Sequence, residues 1–181
     1  MNKSIENPTY EISKYSKYAQ ILLRILATAF TLTAACIIFN SNETLIVFTV
    51  EVDARYSYSP ALKFCAYANI IGCAFSVLSL FFASIFGRKD LHPNKYFCLV
   101  IHDMLLFQIM MALLLAGSTS AATIGYIGEY GLIPSGWMPV CDSVAKFCHK
   151  IIASIIFSNF GVIFYLCLAI VSANESRNIQ V

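Results

Sequence analysis

Four long apolar stretches, separated by polar segments, dominate the pattern of hydrophobic and polar positions along the chain. Each is at least as long as the roughly 20 residues that an α-helix needs to cross the hydrocarbon core of a bilayer. We therefore predict an all-α integral membrane fold, a bundle of four transmembrane helices with a polar tail at each end. The predicted spans are residues 19–39, 64–86, 96–122 and 151–171, and the predicted tails are residues 1–18 and 172–181.

The first stretch has a second interpretation, because Ala27-Thr28-Ala29 resembles the cleavage site of a secretory signal. The apolar run, however, continues to Phe39, and Arg24 interrupts the region that a signal would keep apolar. We therefore expect a retained helix and not a cleaved signal.

The two longer polar segments differ in composition. Residues 40–63 include TLIVFTVEV, a β-prone stretch with partial alternation that predicts one or two short strands. Asn42 begins an N-x-T glycosylation pattern, but it follows the first span so closely that we expect it to be unmodified. Residues 123–150 are rich in glycine, proline and aromatic residues, which predicts a second loop dominated by turns.

Composition agrees with a membrane protein, because 59% of the residues are hydrophobic and only 12% are charged. Charged residues approach about a quarter of a soluble domain. A net charge of +2 gives no reason to expect a nucleic-acid partner. The seven cysteines lack the spacing of a zinc site, so we predict no metal and no cofactor. Five of them lie in apolar stretches and are predicted to be packing residues: Cys36, Cys65, Cys73, Cys98 and Cys167.

The distribution of basic residues predicts the orientation of the bundle. Seven lysines and arginines flank the spans on the side of the chain termini, against four on the side of the long loops. This excess favours cytosolic termini and extracellular loops. Cys141 and Cys148 then face an oxidising environment, where a disulfide across this short ring would stabilise the protein by about 2.5 kcal/mol. We predict that disulfide.

Two charges lie inside the predicted spans. Arg24 follows Lys17 by seven residues, and Asp103 follows Lys95 by eight. At about 1.5 Å of rise per residue, both charges lie roughly 10–12 Å from their flanking lysines. Since each charge is costly alone in hydrocarbon, we predict an ion pair between Arg24 and Asp103 that joins the first and third helices. The alternative is that each reaches the headgroups or water separately.

The same charges could instead carry chemistry. His102 lies about 100° from Asp103 around the helix, so both cannot point at Arg24, and we expect His102 to be packed or hydrogen-bonded. Because no set of nucleophile and base can be assembled from the sequence, we predict no catalytic residues and no enzyme. The alternative function is a small transporter or channel that uses Asp103, His102 and Arg24 as a polar path.

Small residues recur at near four-residue spacing on three of the spans. Such faces let helix backbones approach closely, within one bundle or between copies of it. Intramolecular packing is the default expectation, and self-association is the alternative. The residues are Gly72, Ser76, Gly117, Ala121, Ser154, Ser158 and Gly161.

Four segments, in order along nearly the whole chain, carry a resemblance to a known family. They are LLRILATAFTLTAA with Arg24, YSYSPALKF with the following Ala68-Asn69, HDMLLFQIMMALLLAGSTSAATIGYIGEYG with Asp103, and GWMPVCDSVAKFC. Together they resemble the Casparian strip membrane domain protein-like family of plants, relatives of the MARVEL tetraspan proteins. The outer-loop residues singled out on this basis are Tyr56, Tyr58, Pro60, Gly136 and Trp137.

The resemblance implies a multi-pass plasma-membrane scaffold, which forms homo- and hetero-oligomers with family members and contacts membrane lipid. It also implies recruitment of cell-wall-modifying enzymes such as peroxidases. The first loop, VEVDARYSYSPALKF, departs from that of the founding members, so the resemblance supports a general scaffold role more than strip formation itself. A third possibility is a sensor that contacts the cell wall through Trp137 and the tyrosines of the outer loops.

Overall fold

The structure, a computed structural model, describes residues 8–47, 50–86 and 93–180, with side chains over 18–44, 53–83, 103–132 and 134–174. Within these ranges the chain forms four long helices: α1 Pro8–Phe39, α2 Pro60–Phe86, α3 Pro93–Tyr130 and α4 Ala145–Gln180. Each helix contains a segment long and apolar enough to cross a membrane, which confirms the prediction of four membrane-capable helices. A helix suits these sequences because it satisfies its own backbone hydrogen bonds where no water is present.

The third helix is longer than predicted. It continues to Tyr130, eight residues past the predicted end at Ala122, so the expectation of turns over residues 123–130 is wrong. Gly128 lies within the helix, and its lack of a side chain makes room for the neighbouring loop. Cys141 Sγ lies 3.3 Å from the position that a Cβ would occupy. The helix ends at Gly131, whose φ of 71° is a left-handed conformation that favours glycine.

The other helices also exceed their predicted limits. Pro60, predicted to lie in the first outer loop, is the first residue of α2, where its missing N–H costs nothing. The first and last helices extend into both predicted tails, from Pro8 in α1 and to Gln180 in α4. The predicted polar connection between the second and third spans covers residues 87–95, of which 93–95 are the first residues of α3 and 87–92 lie outside the described residues.

The four helices form a closed square in which α1 packs against α2 and α4, and α3 packs against the same two helices. Helices α1 and α3 are therefore diagonal to each other, as are α2 and α4. The core has two clusters of buried apolar residues, one in each half of the bundle. The first is built around Phe107, Leu114 and Tyr165, and the second around Ile38, Leu62 and Ile151.

A two-stranded antiparallel hairpin connects α1 to α2, with β1 at Asn42–Val47 and β2 at Val50–Arg55. Its register runs from the pair Asn42 and Arg55 to the pair Val47 and Val50. The short strands expected in the first loop are thus confirmed. We call this end of the bundle the hairpin end and the opposite end the terminal end.

Candidate functional site

The charged residues of α1 and α3 meet across the diagonal of the bundle, near its terminal end. Arg24 Nη2 lies 2.5 Å from Asp103 Oδ2, and Arg24 Nη1 donates to the carbonyl oxygen of Ser79 on α2 at 2.8 Å. The hydroxyl of Ser79 donates to Asp103 Oδ1 at 3.1 Å. Three helices thus share one hydrogen-bonded group, and both carboxylate oxygens of Asp103 accept a hydrogen bond.

This group is largely buried, so its charged atoms depend on partners within the protein. The side chain of Arg24 is 6% exposed and that of Asp103 is 27% exposed, so the guanidinium is the more enclosed partner. The guanidinium carbon also lies 5.2 Å from the centre of the Phe107 ring, close enough for a cation–π interaction. Arg24 Nε has no hydrogen-bond partner among the described residues, so Asp103 and Ser79 carry the polar contacts of this charge.

A second polar contact crosses the other diagonal, between α2 and α4. The hydroxyl of Tyr165 donates to the carbonyl oxygen of Gly72 at 2.6 Å and lies 2.6 Å from Ser76 Oγ. Since Tyr165 has one hydroxyl proton, Ser76 must donate the second bond. Phe107 links the two polar contacts, because its ring also lies 6.0 Å from that of Tyr165.

The predicted small residues lie inside the bundle, where they let neighbouring helices approach. A Cβ at Gly117 on α3 would lie 3.1 Å from Ala68 Cβ and 3.2 Å from Cys65 Cα on α2. The hydroxyl of Ser154 on α4 donates to the carbonyl oxygen of Ala34 on α1 at 2.8 Å. The remaining members of the set are also buried: Gly72, Ser76, Ala121, Ser158 and Gly161.

The loops at the hairpin end are tied to the bundle. Cys141 and Cys148 are joined as a disulfide, and the N–H groups of Val140 and Cys141 both donate to the carbonyl oxygen of Gly128. Glu43 of β1 accepts a hydrogen bond at 2.9 Å from the backbone N–H of Phe147. This carboxylate lies at the start of α4, where the N–H groups of the first turn lack helical partners.

The outer-loop residues singled out from the sequence do not form one cluster. Tyr56 packs edge-on against Phe39 at the end of α1, and Tyr58 is exposed in the adjoining 3-10 turn. Gly136 turns the second loop with a φ of 74°. The carbonyl oxygen of Trp137 accepts a hydrogen bond from the backbone N–H of Leu132, and the residue is 65% exposed.

The geometry favours a structural role, in which these residues hold the helices together, over a catalytic or metal-binding role. Two depressions of about 400 Å³ each lie at the hairpin end, one beside the hairpin and Lys146, the other beside α1 and Lys150. Among the described residues no group of three His, Cys, Asp or Glu side chains could hold a metal ion. The side chain of His102, and with it the predicted polar path through that residue, lies outside the described side chains.

Sequence reasoning missed Ser79, Phe107 and Tyr165, although one signal was present. Tyr165 places a hydroxyl in the middle of an apolar stretch, and a polar group in hydrocarbon needs a partner. The candidates were the serines of the facing spans. Nothing in the pattern distinguishes Ser79 from Ser76, because both contribute hydroxyls to the same face of α2.

Comparisons with known proteins identify similar chains in plants. A family model described as the Casparian strip membrane protein domain matches residues 13–164. The chain is 44% identical to CASP-like protein 1F1 of Vitis vinifera, over 97% of this chain and 84% of the relative. It is 40% identical to CASP-like protein 1F2 of Populus trichocarpa, over 99% of this chain and 97% of the relative. No solved structure matches.

Proposed function

Because the chain belongs to the Casparian strip membrane protein domain family, we propose that it is a non-enzymatic scaffold that assembles into domains of the plasma membrane. The observation that supports this proposal most is the use of the buried polar groups. Arg24, Asp103 and Tyr165 each bind another helix of the bundle. These side chains fix the positions of the helices, which a scaffold requires, and a substrate would have to displace those contacts to use them.

The proposed orientation has both chain termini in the cytosol. It rests on the excess of basic residues on the terminal side and on the disulfide at the hairpin end, since disulfides persist outside the cell. In this orientation the hairpin and the second loop face the cell wall. The proposed partners at that face are cell-wall-modifying enzymes such as peroxidases, and the proposed partners within the bilayer are further family members.

Fluorescence recovery after photobleaching of the tagged full-length protein in plant plasma membrane tests the assembly step, together with its native mass in a mild detergent. Immobile patches and a mass of several subunits are the expected results. Free diffusion of a monomer would overturn the proposal.

A proteoliposome assay of ion flux separates the scaffold from the transporter alternative. We expect no flux above that of protein-free liposomes. Flux that disappears in Asp103→Asn would identify Asp103 as part of a transport path and would reject the scaffold as the primary role.

Proximity labelling from a tag in the second loop tests the recruitment of cell-wall enzymes. The expected result is enrichment of secreted peroxidases relative to the labelling obtained from another four-span protein.

A further inference from the structure

The outward face of α3 differs in part from that of α1, the helix diagonal to it. On α1 the exposed positions toward lipid are mostly large and apolar, as at Leu22, Ile25 and Leu32. On α3 large apolar residues are exposed at Leu105, Ile109 and Leu115, and beside them runs a strip of a glutamine and small residues at near four-residue spacing. They are Gln108, Ala112 and Ala116, followed by Thr119 and Thr123.

Gln108 lies near the middle of the membrane. Arg24 follows Lys17, the basic residue that flanks the first apolar stretch, by seven residues, which is about 10 Å along a helix. Asp103 contacts Arg24, and α3 runs in the same direction as α1. Gln108 follows Asp103 by five residues, so it lies about 18 Å along the helix axis from the level of Lys17, close to the middle of a hydrocarbon core of roughly 30 Å.

The carboxamide of Gln108 has no hydrogen-bond partner within the described part of the chain, and its side chain is exposed toward lipid. Asn159 on α4 is a comparable side-chain amide that does have hydrogen-bond partners. It is also exposed, but Ser118 Oγ donates to its Oδ1 at 3.2 Å and its Nδ2 donates to the carbonyl oxygen of Ile155 at 3.0 Å. The bundle therefore satisfies the amide of Asn159 and leaves that of Gln108 unpaired in a region without water.

The residues around Gln108 are suited to a close helix contact. Ala112 and Ala116 offer little bulk, and the threonines further along satisfy their own hydroxyls. Thr119 donates to the carbonyl oxygen of Leu115 at 2.8 Å, and Thr123 donates to that of Thr119 at 3.0 Å. A helix placed against this face could approach closely without leaving any hydroxyl unpaired, as small-residue faces allow in membranes.

We propose that a second copy of this chain docks on the outward face of α3, with the Gln108 carboxamides of the two copies bonded to each other. A two-fold axis along the membrane normal brings the same residue of both copies to the same depth. A carboxamide carries both a donor and an acceptor, so two of them can exchange two N–H···O bonds. The proposal rests on the assembly step of the proposed function and names the surface that carries it.

The test measures self-association of the full-length chain in liposomes at low density, by energy transfer between labelled copies. Gln108→Leu is expected to weaken the association about five-fold, the effect of losing one interhelical hydrogen-bonded contact of about 1 kcal/mol. Ala112→Leu, which adds bulk to the same face, is expected to weaken it further. The matched control is Ala29→Leu on the exposed face of α1, which should leave the association unchanged.

Cysteine cross-linking checks the geometry without removing the amide. Ala112→Cys should give an oxidised dimer, whereas Cys36, which is exposed on α1, should not in the unsubstituted chain. Unchanged association of Gln108→Leu, or cross-linking through Cys36 but not through position 112, would overturn the α3 surface while leaving assembly intact. A wild-type chain that stays monomeric would instead overturn the assembly step of the proposed function.

Discussion

Removing one member of the ion pair should destabilise the bundle more than removing both. In Asp103→Leu the guanidinium of Arg24 keeps its charge, because arginine does not lose its proton in proteins. It would retain only the Ser79 carbonyl and the ring of Phe107, on a side chain that is 6% exposed. We expect a loss of about 4–5 kcal/mol in the free energy of unfolding, at the upper end for a broken buried pair.

Arg24→Leu should cost less. Asp103 is 27% exposed and keeps the hydroxyl of Ser79, so we expect about 3 kcal/mol, the lower end for a broken buried pair. The double variant removes both charges and loses only polar contacts to Ser79 and the ring contact, or about 1–2 kcal/mol. The double-mutant cycle should therefore show a coupling of several kcal/mol between Arg24 and Asp103.

The assay is reversible unfolding of the full-length chain by SDS in mixed micelles, followed by circular dichroism. Ile25→Leu, an adjacent outward change on α1, is the control and should alter the free energy of unfolding by less than about 0.5 kcal/mol. If the double variant loses as much as the sum of the two single variants, the residues do not stabilise each other and the pairing is wrong.

Three further changes can be measured in the same unfolding assay. Gly117→Ala should lower the free energy of unfolding by about 1–2 kcal/mol because the new Cβ meets the backbone of α2. Gly125→Ala, whose Cβ would lie 4.0 Å from its nearest neighbour, should instead raise it by up to about 1 kcal/mol. Equal effects of the two changes would contradict the close contact at Gly117. Tyr165→Phe removes the α2–α4 hydrogen bonds and should cost about 1–2 kcal/mol, and a change near zero would refute their importance. Replacing Cys141 and Cys148 by serine should cost about 2.5 kcal/mol; recovery of free thiols from the unsubstituted protein under non-reducing mass analysis would show that the disulfide does not form.

The number and order of the helices could be predicted from the sequence because hydrophobic length is a strong signal. Helix ends could not. Composition favoured turns after Ala122, yet Gly125 and Gly128 are helical; Gly128 faces Cys141 of the second loop and Gly125 faces Ile155 of α4. A glycine that ends a helix and one that makes room for a neighbour look alike in one sequence. Only Gly131, with its positive φ, ends α3.

The depth of the charged residues in the membrane could also be predicted from the sequence, since the spacing from the flanking lysines places Arg24 level with Asp103. What the sequence could not give is the diagonal arrangement. Which helices are neighbours depends on which faces pack, and the same spacing would suit adjacent helices. The third member of the group, Ser79, contributes its backbone carbonyl as well as its hydroxyl, and a carbonyl carries no sequence signal.

The two diagonal contacts bear on how such a bundle keeps one shape in lipid. Burial of apolar surface gives little preference for one helix arrangement over another there, because the surrounding lipid is as apolar as leucine. A group that joins α1, α2 and α3 and another that joins α2 and α4 are both satisfied only when each helix has its observed diagonal partner. Exchanging two adjacent helices would change which helices lie on the diagonals and would break the observed contacts. The inward polar groups therefore specify the monomer, and the Gln108 amide, which has no partner among the described residues, faces outward, where a second copy can reach it.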